Sequence, residues 1–351
     1  MKDDFTWLFC LLGILLYFTV KYLTKLYIKY SYKHNILAYP IERSAHKEII
    51  PTGGGLIFAG SFLIALFVST IGVHDIVIRE SIYKIIFVGL SVLFLGFIDD
   101  KYSLKARYKL VMQIFISFIM VGLGFKITYF TNPFGSQIML HFFSIPVTVL
   151  WYLVMMNSIN LIDGLDGLAS GIAMIACLIL MVFSFYSKNF LVFINSFLFF
   201  ISLAAFLKYN YPPAKIFMGD SGSLFIGFIL SSLSIAGNEV QFKGLTTFTL
   251  LVPITVMFIP FGDTFFAIIR RIKNKQYIFK ADKSHLHHKM IELGLSPKAV
   301  TLLCWFITLI FGIIALGYLF VGKQIMLIVL VFVSLLLIGL FFYLYKKELF
   351  K

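Results

Sequence analysis

The sequence predicts an all-α integral membrane protein that crosses the bilayer many times. Its 351 residues are 60% hydrophobic and only 13% charged, whereas soluble domains carry about a quarter charged residues. Apolar runs with few charges recur along the whole chain, and each is close to the roughly 20 residues that a helix needs to span hydrocarbon. The runs do not alternate apolar and polar residues as the strands of a membrane barrel would. Helices are therefore expected, because they satisfy their own backbone hydrogen bonds in lipid.

Eleven runs qualify as transmembrane segments, and they organise residues 1–351 as a single transmembrane domain. The first run is expected to remain uncleaved, because Asp3 and Asp4 precede it and no small-residue cleavage site follows it. No soluble domain, long linker or internal repeat is evident. The predicted segments are Phe5–Val20, Leu56–Val73, Ile82–Ile98, Leu110–Phe125, Ile138–Met156, Leu168–Phe185, Phe190–Phe206, Ser221–Ala236, Phe248–Ile269, Val300–Val321 and Ile325–Tyr345.

The basic residues predict the orientation of these segments. With the N-terminus outside, 23 of the 30 lysines and arginines fall on inner segments, in agreement with the positive-inside rule. The same rule explains the net charge of +14, so nucleic acid is not an expected partner. We therefore expect a multi-pass membrane protein with its C-terminus and its polar loops in the cytoplasm. Cys10, Cys177 and Cys304 lie inside apolar runs and are interpreted as small buried hydrophobes.

Eleven of the sixteen acidic residues fall on the predicted inner loops or inner helix ends. Ionisable groups at a membrane edge are functional candidates by default. Asp99 and Asp100 end the third segment, and Lys105, Arg107 and Lys109 follow on the same loop. Acidic and basic groups side by side suit a metal-bound phosphate, although an ordinary solvated helix end would also explain the pair.

A second polar motif places a side chain every third residue, at Asn157, Asn160, Asp163 and Asp166. At this spacing successive side chains lie on neighbouring faces of one helix. The loop carries no lysine or arginine, and uncompensated carboxylates and carboxamides are ligands for hard cations. A calcium-binding loop is excluded because the remaining ligands and the terminal glutamate are absent. A polar turn between two segments remains the alternative.

A third motif, Gly219–Ser223, opens a predicted helix. Asp220 could cap that helix or offer its carboxylate to a cation, and the residues themselves leave both interpretations open. The Pro51–Gly55 loop is a weaker candidate: its three glycines would allow a close backbone approach, but such a loop is more often a turn that enters a helix.

A basic inner loop runs from Arg270 to Pro297, and Asp263 lies just before it. Dense positive charge suits a pyrophosphate or anionic lipid headgroups. The histidines could also form a zinc site with Asp282, although no cysteine supports it. The candidate residues of this loop are Arg270, Arg271, His285, His287 and His288.

Together these motifs resemble the polyprenyl-phosphate N-acetylhexosamine-1-phosphate transferases, glycosyltransferase family 4, over most of the chain from Pro51 to Lys289. The His-Leu-His-His stretch resembles the branch that uses UDP-GlcNAc, not the branch that takes a muramoyl-pentapeptide. The resemblance implies an enzyme that transfers a sugar 1-phosphate from a UDP-N-acetylhexosamine to undecaprenyl phosphate and releases UMP. Such a reaction initiates a cell-envelope polysaccharide, for example lipopolysaccharide O-antigen.

The resemblance also implies roles for individual residues. Asn160 and Asp220 are expected to bind Mg²⁺, with Mn²⁺ as a substitute. Because a phosphomonoester has a second pKa near about 6, the lipid phosphate is already largely ionised at neutral pH, and direct attack is predicted over a covalent aspartyl intermediate. The expected catalytic residues are Asp99, Asp100, Lys109 and Asp163, and the expected substrate-binding residues are Asn157, Asp166, Arg270, Arg271, His285, His287 and His288.

Three other protein classes are less consistent with the sequence. A transporter or flippase of nucleotide sugars or lipid-linked sugars would place ionisable residues near the midplane with access from both sides. A CDP-alcohol phosphotransferase would carry an arginine-containing acidic signature, which is absent around Asp163. A structural subunit would not gather aspartates and histidines on one side. The expected partners are UDP-N-acetylhexosamine, undecaprenyl phosphate and the lipid bilayer; the sugar, the downstream polymer and the oligomeric state, including a homodimer, stay open.

Overall fold

A computed structural model of the protein describes residues 6–40, 48–130, 137–239, 251–273 and 286–349. The described part is a bundle of α-helices in which sheet structure is limited to two short hairpins. The helices are α1 Thr6–Lys33, α2 Gly55–Ser69, α3 Ile76–Tyr102, α4 Ala106–Gly122, α5 Ser144–Ile162, α6 Leu168–Tyr186, α7 Phe190–Asn210, α8 Gly219–Glu239, α9 Leu251–Val256, α10 Phe258–Lys273, α11 Leu286–Glu292, α12 Pro297–Phe320 and α13 Lys323–Leu349.

The two hairpins lie between helices. Strand β1, Leu37–Ala38, pairs antiparallel with β2, Ile50–Pro51. Strand β3, Tyr129–Phe130, pairs antiparallel with β4, Ile138–Met139. The predicted fifth segment was therefore wrong at its start: its first residues form β4, and the α-helix begins only at Ser144.

Several helices are long and apolar enough to cross a bilayer, which confirms the all-α, polytopic membrane fold. Within the described residues there are eight such segments. Nine of the ten other predicted runs each coincide largely with one helix, whereas the run Phe248–Ile269 is interrupted. Helix α9 ends at Val256 and α10 begins at Phe258, because Pro260 has no N–H to donate to the carbonyl of Val256. The total number of spans and their orientation remain predictions.

Helix α8 is the central element, since every residue from 221 to 236 is buried. Neighbouring helices approach its backbone closely at glycines. A Cβ added at Gly55 of α2 would lie 2.1 Å from the backbone nitrogen of Gly222. A Cβ at Gly96 of α3 would lie 2.3 Å from the Cα of Ser221. The missing side chains thus allow α2 and α3 to fix the position at which α8 begins.

The Pro51–Gly55 loop is the helix-entry turn that the sequence allowed as the alternative to a binding loop. The N–H groups of Gly54 and Gly55 donate to the carbonyl oxygens of Phe217 and Met218 at 2.9 and 2.8 Å, and Phe217 N–H donates to the Pro51 carbonyl at 2.8 Å. These bonds hold the segment that leads directly into α8.

The outer faces of the helices are apolar and exposed, as a lipid-facing surface requires. Large side chains such as Phe87, Phe94 and Phe115 are exposed there. Cys177 and Cys304 are buried, as expected, whereas the thiol of Cys10 is on an exposed position of α1.

The close approach at Gly55 can be tested with a control in the same helix. Gly55→Ala places a methyl group against the α8 backbone. Because backbone cannot move aside as a flexible side chain can, we expect a loss of about 1–3 kcal/mol in the free energy of unfolding. Gly60→Ala meets open space and should keep or raise stability. Thermal unfolding in detergent measures both, and equal melting temperatures for the two variants would contradict the packing described here.

Candidate active site

A lysine ammonium group joins three oxygen-bearing side chains from three other helices. Lys109 lies in the first turn of α4, and its Nζ is 2.7 Å from Asp99 Oδ2 at the end of α3. The same Nζ is 3.2 Å from Asp220 Oδ2 in the first turn of α8. It also donates to Asn160 Oδ1 in the last turn of α5 at 3.3 Å. The structure therefore brings together four residues that the sequence singled out in three separate motifs.

Asn160 and Asp220 are in direct contact. The Asn160 amide donates from Nδ2 to Asp220 Oδ1 and, at 2.9 Å, to Ser223 Oγ. The Asp220 carboxylate is thus directed toward Asn160 and Lys109. The start of α8 is capped by another residue, so the structure does not support the capping interpretation of Asp220, and its binding of a cation stays a prediction.

That capping residue is Asp100. Its Oδ1 accepts from the N–H of Asp220 at 2.6 Å, and its Oδ2 accepts from the N–H of Ser221 at 3.1 Å. A carboxylate at a helix N-terminus satisfies free N–H groups and interacts favourably with the helix dipole. Gly219 makes room for it, since its φ is +72° and a Cβ there would lie 2.6 Å from Asp100 Oδ1. Asp100 consequently fixes the position of Asp220.

Asp99 is buried and is held on both of its oxygens. Besides the ion pair with Lys109, Asp99 Oδ1 accepts from Leu104 N–H at 2.9 Å. This bond closes the turn from α3 to α4, in which Ser103 adopts a left-handed conformation with φ of +49°. The carboxylate therefore places the start of α4, and with it Lys109, while the lysine compensates its charge.

Asp163 lies beside this cluster and is partly buried at the end of α5. Within the described residues its carboxylate makes no hydrogen bond or ion pair. Burial raises the pKa of Asp163 well above its usual range, and the negative charges of Asp220, Asp100 and Asp166 raise it further. A bound cation would be favoured beside these carboxylates.

Asp166 and Asn157 are engaged with other parts of the protein. Asp166 Oδ2 accepts from Ala214 N–H at 2.9 Å, and its carbonyl accepts from Thr301 Oγ1 at 3.1 Å. Asn157 Nδ2 donates to Gln113 Oε1 on α4 at 2.8 Å. These bonds do not test the contacts with substrate that were predicted for Asp166 and Asn157, and those contacts stay predictions.

Gln113 is the residue of this region that sequence reasoning missed. It lies four residues after Lys109, so both project from the same face of α4. A single carboxamide in an otherwise apolar stretch of helix, one turn from a candidate lysine, was the signal that could have identified it.

The basic loop is described only in part. Arg271 is buried near the end of α10. The backbones of Arg270, His287 and His288 lie in α10 and α11, but their side chains are outside the described part of the structure. His285 and Asp282 lie outside the described residues altogether, so the proposed contacts with diphosphate or sugar, and the zinc alternative, stay predictions.

Helix α10 is attached to the helix that carries Asn160. Thr264 Oγ1 donates to Ser158 Oγ of α5 at 3.0 Å, and Asp263, one residue earlier, is buried. This bond packs α10 against the helix that carries Asn160.

The polar side chains of this site suit the usual binding mode of Mg²⁺ better than a metal site formed by protein ligands alone. Among the residues that the structure describes, no three His, Cys, Asp or Glu side chains converge as a metal site. Mg²⁺ is usually held by one or two carboxylates together with substrate phosphates and water. The adjacent oxygens of Asn160 and Asp220, with the carboxyl group of Asp163 nearby, are consistent with that mode of binding.

Comparison with known proteins identifies similar sequences. Residues 82–238 match the family described as glycosyl transferase family 4, a range that includes Asp99, Lys109, Asn160 and Asp220. A probable undecaprenyl-phosphate N-acetylglucosaminyl 1-phosphate transferase of Bacillus subtilis (strain 168) is 39% identical over 305 residues, which are 85% of this chain and 81% of that protein.

More distant relatives carry two kinds of name. A decaprenyl-phosphate N-acetylglucosaminephosphotransferase of Mycobacterium leprae (strain TN) is 32% identical over 309 residues, 80% of this chain and 75% of that protein. A phospho-N-acetylmuramoyl-pentapeptide-transferase of Borreliella burgdorferi (strain ZS7) is 33% identical over 314 residues, 79% of this chain and 84% of that protein.

Proposed function

The chain belongs to glycosyl transferase family 4, and from this premise we propose that it transfers N-acetylglucosamine 1-phosphate from UDP-GlcNAc to undecaprenyl phosphate. The products are undecaprenyl-pyrophosphoryl-GlcNAc and UMP. The observation that carries the proposal is the Lys109 ammonium held between Asp99, Asp220 and Asn160 at one end of the helix bundle. A fixed positive charge among oxygen ligands is what a reaction between two phosphates requires.

The chemistry is a displacement at phosphorus. A phosphate oxygen of the lipid forms a bond to the β-phosphorus of the UDP-sugar, and the bond from that phosphorus to the oxygen bridging to UMP breaks. Phosphoryl transfer depends mainly on positioning and on neutralising charge. The lipid phosphate is largely ionised at neutral pH, so no strong general base is needed.

Lys109 is the residue we assign to charge neutralisation at the reacting phosphates. Its ammonium is already held in place by three partners, so little reorganisation is needed when substrate binds, and preorganised charge is the most effective kind. Mg²⁺, or Mn²⁺ in its place, would be held by Asn160 and Asp220 and would supply further neutralisation of the pyrophosphate. Asp163 adds a further carboxyl group beside these two residues.

The engagement of Asp99 and Asp100 supports direct attack by the lipid phosphate. Asp99 is buried and paired with Lys109, and Asp100 accepts two N–H groups at the start of α8. A nucleophilic carboxylate would have to give up these bonds before it could attack phosphorus. We therefore assign both residues to positioning Lys109 and Asp220.

The location of the polar cluster favours an enzyme over a transporter or flippase. Asp99 and Asn160 lie in the last turns of α3 and α5, and Lys109 and Asp220 lie in the first turns of α4 and α8. The cluster therefore lies at one end of the bundle and not at its midplane. We place that end in the cytoplasm of a bacterial inner-membrane protein, on the basis of the basic residues. The product would then initiate a cell-envelope polysaccharide, O-antigen being one example.

The decisive assay uses the purified protein, undecaprenyl phosphate and a panel of UDP-sugars that includes UDP-GlcNAc and UDP-MurNAc-pentapeptide. We expect UMP release with UDP-GlcNAc, loss of release with EDTA, and recovery on addition of Mg²⁺ or Mn²⁺. Release of UMP only from the muramoyl substrate would move the protein to the other branch, and no release from any sugar would refute the transferase function.

Asp220→Asn tests the metal-binding pair. The substitution preserves size but removes the charge and replaces one acceptor oxygen with an amino group, so we expect a loss of about 10²-fold or more in kcat, comparable to losing one preorganised electrostatic contact. Asp75→Asn is the matched control. Asp75 caps the start of α3, at the opposite end of α3 from Asp99. Asparagine caps a helix as well as aspartate does, so the turnover of Asp75→Asn should be unchanged. Normal turnover of Asp220→Asn would remove Asp220 from the metal site.

A further inference from the structure

We infer that Gln113 is a positioning residue, which acts through Asn157 to hold Lys109 in register with Asn160; this inference rests on the proposed function. Helices α4 and α5 are joined by two polar contacts, one turn apart. The upper contact, nearer the start of α4, joins Lys109 Nζ to Asn160 Oδ1 at 3.3 Å. The lower contact, one turn further along α4, joins Asn157 Nδ2 to Gln113 Oε1 at 2.8 Å. Each helix therefore offers two side chains from one face to the other helix.

The orientation of the lower contact is determined by the surrounding bonds. Asn157 Nδ2 also donates to the carbonyl oxygen of Leu153, one turn earlier in α5, at 2.8 Å. Asn157 must consequently present its amino group, and Gln113 must present its oxygen. Gln113 has no exposed surface, and its Nε2 has no hydrogen-bond partner among the described residues. The bond to Asn157 is thus what orients the Gln113 side chain.

Below the turn that Asp99 fixes, α4 is buried on one face only, and Gln113 makes the polar side-chain contact of that face to α5. Its opposite face carries Val111, Met112, Phe115 and Phe118, all exposed, and lipid tails pack equally well against any of them. Its N-cap residue makes no side-chain capping bond. Between helices in a bilayer, register is set by packing and by polar contacts such as this one.

A small rotation of α4 would misplace the ammonium group of Lys109. Side chains extend about 5–6 Å from a helix axis, so a turn of about 20° moves their ends by about 2 Å. An error of about 1 Å in the position of a reacting group can cost about 10²-fold in rate. Gln113 thus acts on Lys109 through the packing of α4 on α5.

Gln113→Asn is the informative variant, because it keeps the amide but shortens its arm by one methylene. We expect kcat to fall about tenfold or more, while KM for UDP-GlcNAc stays within about twofold. Adding Asn157→Gln restores the total length of the bridge and should recover most of the lost kcat. Ser117→Ala is the control, since Ser117 is buried one turn further along α4 and bonds only to its own helix, at Gln113 O; its kcat should match wild type.

The outcomes separate this inference from the proposed function. If the wild-type protein releases no UMP, the proposed function fails. If wild type turns over and Gln113→Asn has the same kcat, the positioning role is overturned. It is overturned equally if Asn157→Gln, measured alone, lowers kcat by the same factor as it does when added to Gln113→Asn. Melting temperatures in detergent identify any variant that is unfolded. Among folded variants, the kcat of the double variant is compared with that of Gln113→Asn, because a higher kcat in the double variant requires a restored bridge.

Discussion

The position of one positive charge organises the polar end of this protein. The Lys109 ammonium lies within 3.3 Å of oxygens from α3, α5 and α8, and each of those helices reaches it by a terminal turn. A charge shared by several partners in a partly buried site is strongly favoured only if every partner is correctly placed. Much of the surrounding structure can be understood as a set of contacts that fix those partners.

The contacts around α8 illustrate this dependence. Gly55 and Gly96 allow α2 and α3 to reach the α8 backbone, and the Pro51–Gly55 loop bonds to the segment before α8. Asp100 then caps the first N–H groups of the helix. Together these features fix Asp220 relative to Lys109, so residues without direct contact to substrate determine the geometry of the candidate site.

The sequence was sufficient to predict the helices, since long apolar runs with few charges have few other structures in lipid. It also identified Asp99 and Asp220 at helix ends, and it identified Lys109 and Asn160 as candidates but placed them on loops, whereas they lie in the terminal turns of α4 and α5. It did not predict that Asp100 caps a helix 120 residues later, because that bond depends on which helix ends meet in space. The break between α9 and α10 could have been predicted from Pro260, but the Gln113–Asn157 bridge required the packing of α4 on α5.

Stability measurements on Lys109 and Asp99 test the central interaction most directly. Lys109→Met leaves the buried Asp99 carboxylate without its counter-charge, and we expect a loss of about 3 kcal/mol in the free energy of unfolding. Adding Asp99→Asn removes that uncompensated charge and should recover most of the loss. A Lys109→Met protein as stable as wild type, or a double variant destabilised by the sum of the two single effects, would contradict the arrangement described here.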